Sequence, residues 1–206
     1  MSSGSVRDGS VGETIGAAEV RSIFEDCGAV LEGHFVLTSG LHSPVFLQKA
    51  RVFMNAEATE RLCRGLANAI RASLHETFDY VVGPALGGII PAYETSRHLG
   101  VPSIWVEREN GEFRLRRFEI AKGARCVVVE DIVTTGLSIR ETVACLRDAG
   151  AEVIAAACLV DRSGGEARLD IPLVSLAQWT IPTYAADALP ADLAAIPPTK
   201  PGSRTL

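Results

Sequence analysis

Long apolar runs are missing from this 206-residue chain, and a membrane span of about 20 consecutive apolar residues is excluded with them. Residues 1–12 are rich in Ser and Gly and lack the apolar centre of a signal peptide, so they read as a flexible tail and export is not expected. No Cys-x-x-Cys pair occurs, and the five cysteines (Cys27, Cys63, Cys126, Cys145, Cys158) are odd in number and scattered. That spacing argues against a disulfide framework or a zinc site, and for buried thiols in a reducing, cytoplasmic setting. His34, His42, His75 and His98 show no metal-ligand spacing and read as surface or packing residues. A surplus of positive charge is also absent. The formal net charge of −5 disfavours a nucleic-acid partner, so any polyanionic ligand must be held by a local concentration of positive groups. Disorder is excluded by a hydrophobic content of 47%, and no internal repeat is present. No Gly-Lys-Ser/Thr phosphate loop and no Gly-x-Gly-x-x-Gly dinucleotide fingerprint occurs either. What is left is an α/β chain with a sizeable core.

The informative stretch runs from Val127 to Ser138, Val-Val-Val-Glu-Asp-Ile-Val-Thr-Thr-Gly-Leu-Ser. Cys126–Val129 reads as a buried parallel strand, and Ile139, Val143 and Leu146 share one face of a following helix. Gly150 then supplies the left-handed stop. The loop between them lies at the carboxyl end of a strand, where open α/β sheets place ligands. Its amides and the helix N-terminus suit a phosphate, each N–H bond to it contributing about 1.5–3 kcal/mol. Glu130 and Asp131 would repel that phosphate unless they face sugar hydroxyls or a metal ion. A phosphorylated sugar satisfies both halves. A solvated turn with an N-cap is the competing structural explanation.

Elsewhere Val20, Ile23, Phe24 and Cys27 predict a helix closed by Gly28, and Phe35–Thr38 and Val45–Leu47 predict two strands around Ser39-Gly40. Asn55 to about Leu74 predicts a helix with Leu62, Leu66 and Ile70 inside. From Tyr80 the pattern is βαβ: strand Tyr80–Val82, a helix to about Leu99 stopped by Gly100 with Pro91 in its first turn, and strand Ser103–Val106. The polar stretch Glu107–Lys122, strand Cys126–Val129, the motif helix and strand Val153–Val160 follow. This order predicts a mainly parallel, doubly wound sheet. Beyond Asp161 the chain reads as irregular and proline-punctuated.

The motif resembles the phosphoribosyl-pyrophosphate (PRPP) motif of the type I phosphoribosyltransferases. Gly33–Gly40, Val82–Ile89, Leu159–Gly165 and the ending Lys200–Arg204 narrow the resemblance to the orotate phosphoribosyltransferases, from about Phe35 to Arg204. The resemblance implies the type I fold for residues 13–206. Within it, a core of about 56–164 would carry a small hood from about 13–55 and 165–206. It also implies transfer of ribose 5-phosphate from PRPP to orotate. Mg²⁺ would be held mainly by PRPP and water, with no protein metal cage.

Carried over by position, Glu130 and Asp131 would bind the ribose hydroxyls and stabilise the cationic ring. The loop from Ile132 and Val133 through Thr134, Thr135, Gly136, Leu137 and Ser138 would cradle the 5-phosphate. Thr134, Arg162 and Phe46 would meet orotate. Ala85, Leu86 and Gly87 belong to a pyrophosphate-binding loop in which a strained or cis peptide would be in character, and which here lacks the lysine that another branch carries. Glu107–Ile120 takes the place of the family's mobile catalytic loop, given to the neighbouring subunit of a homodimer. Many relatives have lysines and a histidine there; this chain offers Arg108, Arg114, Arg116 and Arg117, of which Arg108 is the favoured catalytic and PRPP contact. Arginine can bind phosphate with a planar fork but cannot act as an acid at neutral pH. Thr38 replaces a lysine common before Ser39-Gly40, with Lys49 or Arg51 offering the compensating charge. Leu137 is bulkier than usual. A type I transferase for another base, and a PRPP-sensing regulator without turnover, remain the alternatives.

Overall fold

A computed structural model describes residues 14–37 and 39–201; the tail of residues 1–12, Thr38 and residues 202–206 lie outside the described residues. In chain order the elements are α1 (Ala17–Asp26), β1 (Val30–Val36), β2 (His42–Leu47), α2 (Ala50–Phe53), α3 (Ala56–Ser73), β3 (Tyr80–Pro84), α4 (Ile89–Leu99), β4 (Ser103–Glu109), β5 (Glu112–Arg114), β6 (Arg125–Val133), α5 (Leu137–Asp148), β7 (Glu152–Asp161), β8 (Leu173–Gln178) and α6 (Ala191–Ala194). Six strands form the main sheet in the order β5-β4-β3-β6-β7-β8. Every pair is parallel except β4–β5. The fold is the mainly parallel α/β sheet that the spacing of strands and helices predicts.

Helices cover both faces, and β6 shows why. Side chains alternate along a strand, so Val127 and Val129 enter one core while Cys126 and Val128 enter the other. The first core is closed by Val20 and Phe24 of α1 and by Leu62, Leu66 and Ile70 of α3, the last three fully buried. The second is closed by Ile139, Val143 and Leu146 of α5. Both helices have local reasons to form where they do. The Asn55 side chain accepts the Ala58 N–H at 3.1 Å and starts α3. Gly150, at φ 87°, follows the C-cap of α5 in the left-handed conformation that glycine tolerates. The cysteines are free thiols, and burial pushes Cys63 and Cys126 up to about 12.

Two readings need correction. The segment beyond Asp161 is not merely irregular: Leu173–Gln178 adds a sixth strand, parallel to β7 and packed on by α1 and α3. Leu173–Gln178, within the segment expected as irregular, therefore belongs to the main sheet. The first predicted strand also begins earlier, at Val30, with a register shift between Glu32 and Phe35. The β1–β2 hairpin is joined to the chain's end through the bridges Phe35–Thr199 and His42–Tyr184. His34 is buried between them, its ring bonded to the Ile196 carbonyl at 2.8 Å and to His42 at 2.5 Å, in keeping with packing roles. Among the described residues no helix is long and apolar enough to cross a membrane.

Candidate active site

Residues Glu130 to Ile139, apart from Asp131, line a cavity of about 190 Å³ at the carboxyl end of β6. The cavity sits at the N-terminus of α5, where a helix leaves its first N–H groups without intrahelical acceptors. Gly136 caps the helix at φ 71°, a left-handed conformation costly for other residues. An added Cβ there would also stand 3.1 Å from Leu169 Cδ2 and 3.3 Å from Ala167 Cβ. Arg140 donates to the Thr135 carbonyl at 2.8 Å, and Thr135 Oγ1 accepts the Leu137 N–H at 3.3 Å, so the loop is held from both ends. Thr134 and Thr135 are exposed to the cavity mouth. Leu137, itself part of the lining, is about half exposed.

The two acids at the strand end face opposite sides, as the strand period demands. Glu130 lines the cavity; Asp131 does not, and points instead toward the β3–α4 loop. Both are buried, at 8% and 0% exposure, which removes the solvated-turn explanation. Glu130 Oε1 accepts the Asp131 N–H at 3.1 Å. Burial, and secondarily the Asp131 charge, holds the Glu130 carboxyl above the ordinary carboxylate range. Lys49 Nζ bonds Asp131 Oδ1 at 2.8 Å and lies 2.6 Å from Oδ2. Oδ2 is close enough for an ion pair yet receives no well-directed hydrogen bond, so it keeps accepting capacity. Lys49 is 82 residues from Asp131 in sequence, and no local signal announces the contact. Arg51, the other candidate compensating cation, is tied to the Gly28 carbonyl at 2.8 Å and does not join them.

The β3–α4 loop carries a cis Ala85–Leu86 peptide. Leu86 is 86% exposed, while Gly87 lies beside Asp131, a Cβ built on it falling 2.3 Å from Oδ2. Arg162, just past β7, is joined to β6 by its N–H bond to the Val133 carbonyl. Its Nε is buried without a hydrogen-bond partner, and burial lowers the guanidinium pKa. Phe46 lies on β2 with its ring 5.7 Å from that of Phe35.

Arg108 is not gathered into the cavity. It belongs to a hairpin in which β4 turns through Asn110 (φ 52°) and Gly111 (φ 89°) into β5. It bonds the Gly111 carbonyl, pairs with Glu141 of α5, and stacks on Phe113 at 4.2 Å. Arg114 pairs with Glu112, Arg116 with Glu109, and Arg117 with Glu107. The stretch from Glu107 therefore forms a hairpin followed by a turn, with all four arginines in ion pairs. The Asn-Gly pair was the sequence signal for it, since a two-residue turn needs two positive φ angles.

Comparison with known proteins bears on this geometry. Residues 53–186 match the family described as Phosphoribosyl transferase domain. The chain is 70% identical to orotate phosphoribosyltransferase 2 of Mesorhizobium japonicum over 91% of its own length and 98% of that protein. It is 66% identical to orotate phosphoribosyltransferase of Brucella ovis with the same coverage. The crystal structure of orotate phosphoribosyltransferase from Aeropyrum pernix superposes with a TM-score of 0.64 at 31% identity, covering 77% of this chain and 93% of that one.

Proposed function

The chain belongs to the phosphoribosyltransferase family, and we propose that it transfers ribose 5-phosphate from PRPP to orotate, giving orotidine 5′-monophosphate and pyrophosphate for pyrimidine synthesis. One observation carries the reading: two buried acids at a single strand end, one lining a phosphate-sized cavity and the other meeting a glycine loop. A sugar bound between them would have its 5-phosphate at the α5 N-terminus and its pyrophosphate over Ala85–Gly88.

In the reaction a ring nitrogen of orotate bonds to the anomeric carbon and gives up its N–H proton to water or to the departing pyrophosphate. The bond from that carbon to pyrophosphate breaks, and its electron pair leaves with the pyrophosphate. Positive charge builds on the sugar ring as negative charge builds on the leaving group, so positioned charges contribute more than a strong base would. Asp131 supplies negative charge beside the ring, and both Glu130 and Asp131 offer acceptors for its hydroxyls. The Thr134–Ser138 backbone and hydroxyls hold the 5-phosphate. Arg162, with an unmet buried donor, suits the orotate carboxylate or a ring carbonyl, and Phe46 and Thr134 complete the base pocket.

The acids also suit Mg²⁺: two buried carboxyl groups follow one another at the strand end, and Asp131 Oδ2 has no directed hydrogen bond, with Lys49 Nζ 2.6 Å away as the cation an incoming ion would have to displace or share. Among the described residues no three His, Cys, Asp or Glu side chains converge, so the ion would ride on PRPP oxygens and water beside Glu130 and Asp131. Bound there, it would neutralise charge on the leaving group.

In this reading the enzyme works in the cytoplasm as a homodimer, and the hairpin reaches the other subunit's site. Free thiols suit the compartment. An exposed apolar groove of about 640 Å³, lined by Phe53, Ile89, Ile90, Tyr93 and Trp105, supports a second copy. Loss of orotate absorbance on adding PRPP and Mg²⁺, against a panel of other bases, tests the function. Consumption of another base alone would reassign the substrate, and PRPP binding without pyrophosphate release would leave a sensor.

A further inference from the structure

The Gly83–Gly88 loop is asked to hold a polyanionic leaving group, yet it contains no charged side chain. The structure brings one to it from elsewhere. Lys49 follows β2 directly, and its ammonium stands over Gly87: a Cβ built on Gly87 would lie 3.0 Å from Lys49 Nζ and 2.3 Å from Asp131 Oδ2. Gly87 is thus kept bare by the Lys49–Asp131 pair, and the cation occupies the space that a side chain from the loop would use. The lysine is placed at a boundary. Its side chain is 42% exposed, whereas that of Asp131 is 1% exposed, so the lysine links a buried carboxylate to the solvent-reached surface. An ammonium has three donors, and the Asp131 carboxylate does not exhaust them.

We propose that Lys49 is a catalytic residue that binds the departing pyrophosphate, replacing in space the charge that the Gly83–Gly88 loop lacks in sequence. This rests on the reading above, in which pyrophosphate leaves across that loop. Without substrate, Lys49 neutralises Asp131. When sugar hydroxyls meet Asp131, the same ammonium turns its free donors to the leaving group, where negative charge grows as the glycosidic bond breaks. A purely structural lysine would neutralise Asp131 and do nothing more, and a lysine serving the base pocket would act on orotate.

Kinetics separate these roles. Lys49→Gln keeps a donor for Asp131 but removes the charge, and Lys49→Arg keeps the charge. With Lys49→Gln, the KM for pyrophosphate in the reverse reaction should rise about tenfold or more and forward kcat should fall about 10–100-fold, while the KM for orotate stays within about twofold. Lys49→Arg should recover both to within about fivefold. An unchanged pyrophosphate KM in Lys49→Gln, or a shift in the orotate KM alone, overturns the proposal.

The wild-type protein gives a second measurement that needs no variant to fold. Lys49, Lys122 and Lys200 are the only lysines of the sequence, so two serve as internal references. Magnesium pyrophosphate should protect Lys49, and not Lys122 or Lys200, from an amine-reactive label read by mass spectrometry; equal labelling with and without it sinks the idea. Wild-type protein that leaves orotate unconsumed in the presence of PRPP would fail the functional reading itself. Normal wild-type turnover with an indifferent Lys49→Gln would fail only the role of Lys49.

Discussion

The end of β6 and the β4–β5 hairpin carry charge in opposite ways. At β6 two carboxylates are buried, one with a single cation against it, and the backbone around them is fixed by two cores. On the hairpin and the turn after it, four arginines are between 43% and 62% exposed, and each pairs with a glutamate within reach of water. Buried charge is expensive to leave unmatched, so the β6 site is prepared to take complementary groups from a ligand. Exposed pairs contribute little and exchange partners cheaply. In the proposed reading the first region holds the substrate in place and the second exchanges one partner for another. Phe113, Leu115 and Phe118 pack the hairpin onto the second core, which anchors its base while leaving the charged groups free to rearrange.

The largest effect should come from the buried side. Asp131→Asn should lower kcat by about 10²-fold while changing PRPP affinity far less, because the carboxylate acts mainly on charge that appears in the transition state. Equal losses in kcat and in PRPP binding measured by calorimetry would reduce Asp131 to an anchor. Next in size is Gly136→Ala, which forces a Cβ into a left-handed residue against Leu169 and Ala167. A loss of about 1–2 kcal/mol in a denaturant titration is expected, together with weaker PRPP binding.

Glu130→Gln sharpens the contrast through pH. The folded carboxyl is raised above its ordinary value of about 4.3, so the folded state holds that proton more tightly than the unfolded chain does. Wild-type stability from this group is then fully present below the unfolded value and is lost as pH rises through the folded one. The variant should therefore gain on the wild type with rising pH, by about 1–2 kcal/mol once above the raised value, while losing activity. Melting curves that run parallel at every pH would contradict it. The smallest effect belongs to the hairpin. Glu141→Gln frees Arg108 at a cost of no more than about 1 kcal/mol in stability, since both partners are over a third exposed, and should lower the PRPP KM by no more than about fivefold. A rise in that KM would show that the pair on α5 is itself part of the working arrangement.

Much of the fold was legible because hydrophobic period reports burial directly. Leu62, Leu66 and Ile70 predicted the buried face of α3, and Val127–Val129 the central strand. β8 escaped because Leu173–Gln178 is an edge strand only partly covered, and its pattern is too mixed to stand apart from the proline-flanked segment around it. The hairpin was signalled by Asn110-Gly111 but masked by the many charges around it. In the site, the motif named Glu130, Asp131 and the phosphate loop, whose neighbours in space are neighbours in sequence. Lys49 could not be ranked, because its partner lies far along the chain and only the packing of the β2–α2 junction on β6 brings them together.

The parallel strand–helix alternation of the central sheet, the strand-end position of the acids and the glycine-capped loop after them follow from sequence alone, because they depend on local backbone geometry and on the period of apolar residues. Which side of the sheet each acid faces, which cation meets Asp131, and where the arginines rest were decided by tertiary structure. Those outcomes depend on distances between segments remote in the chain, and no local pattern encodes such distances.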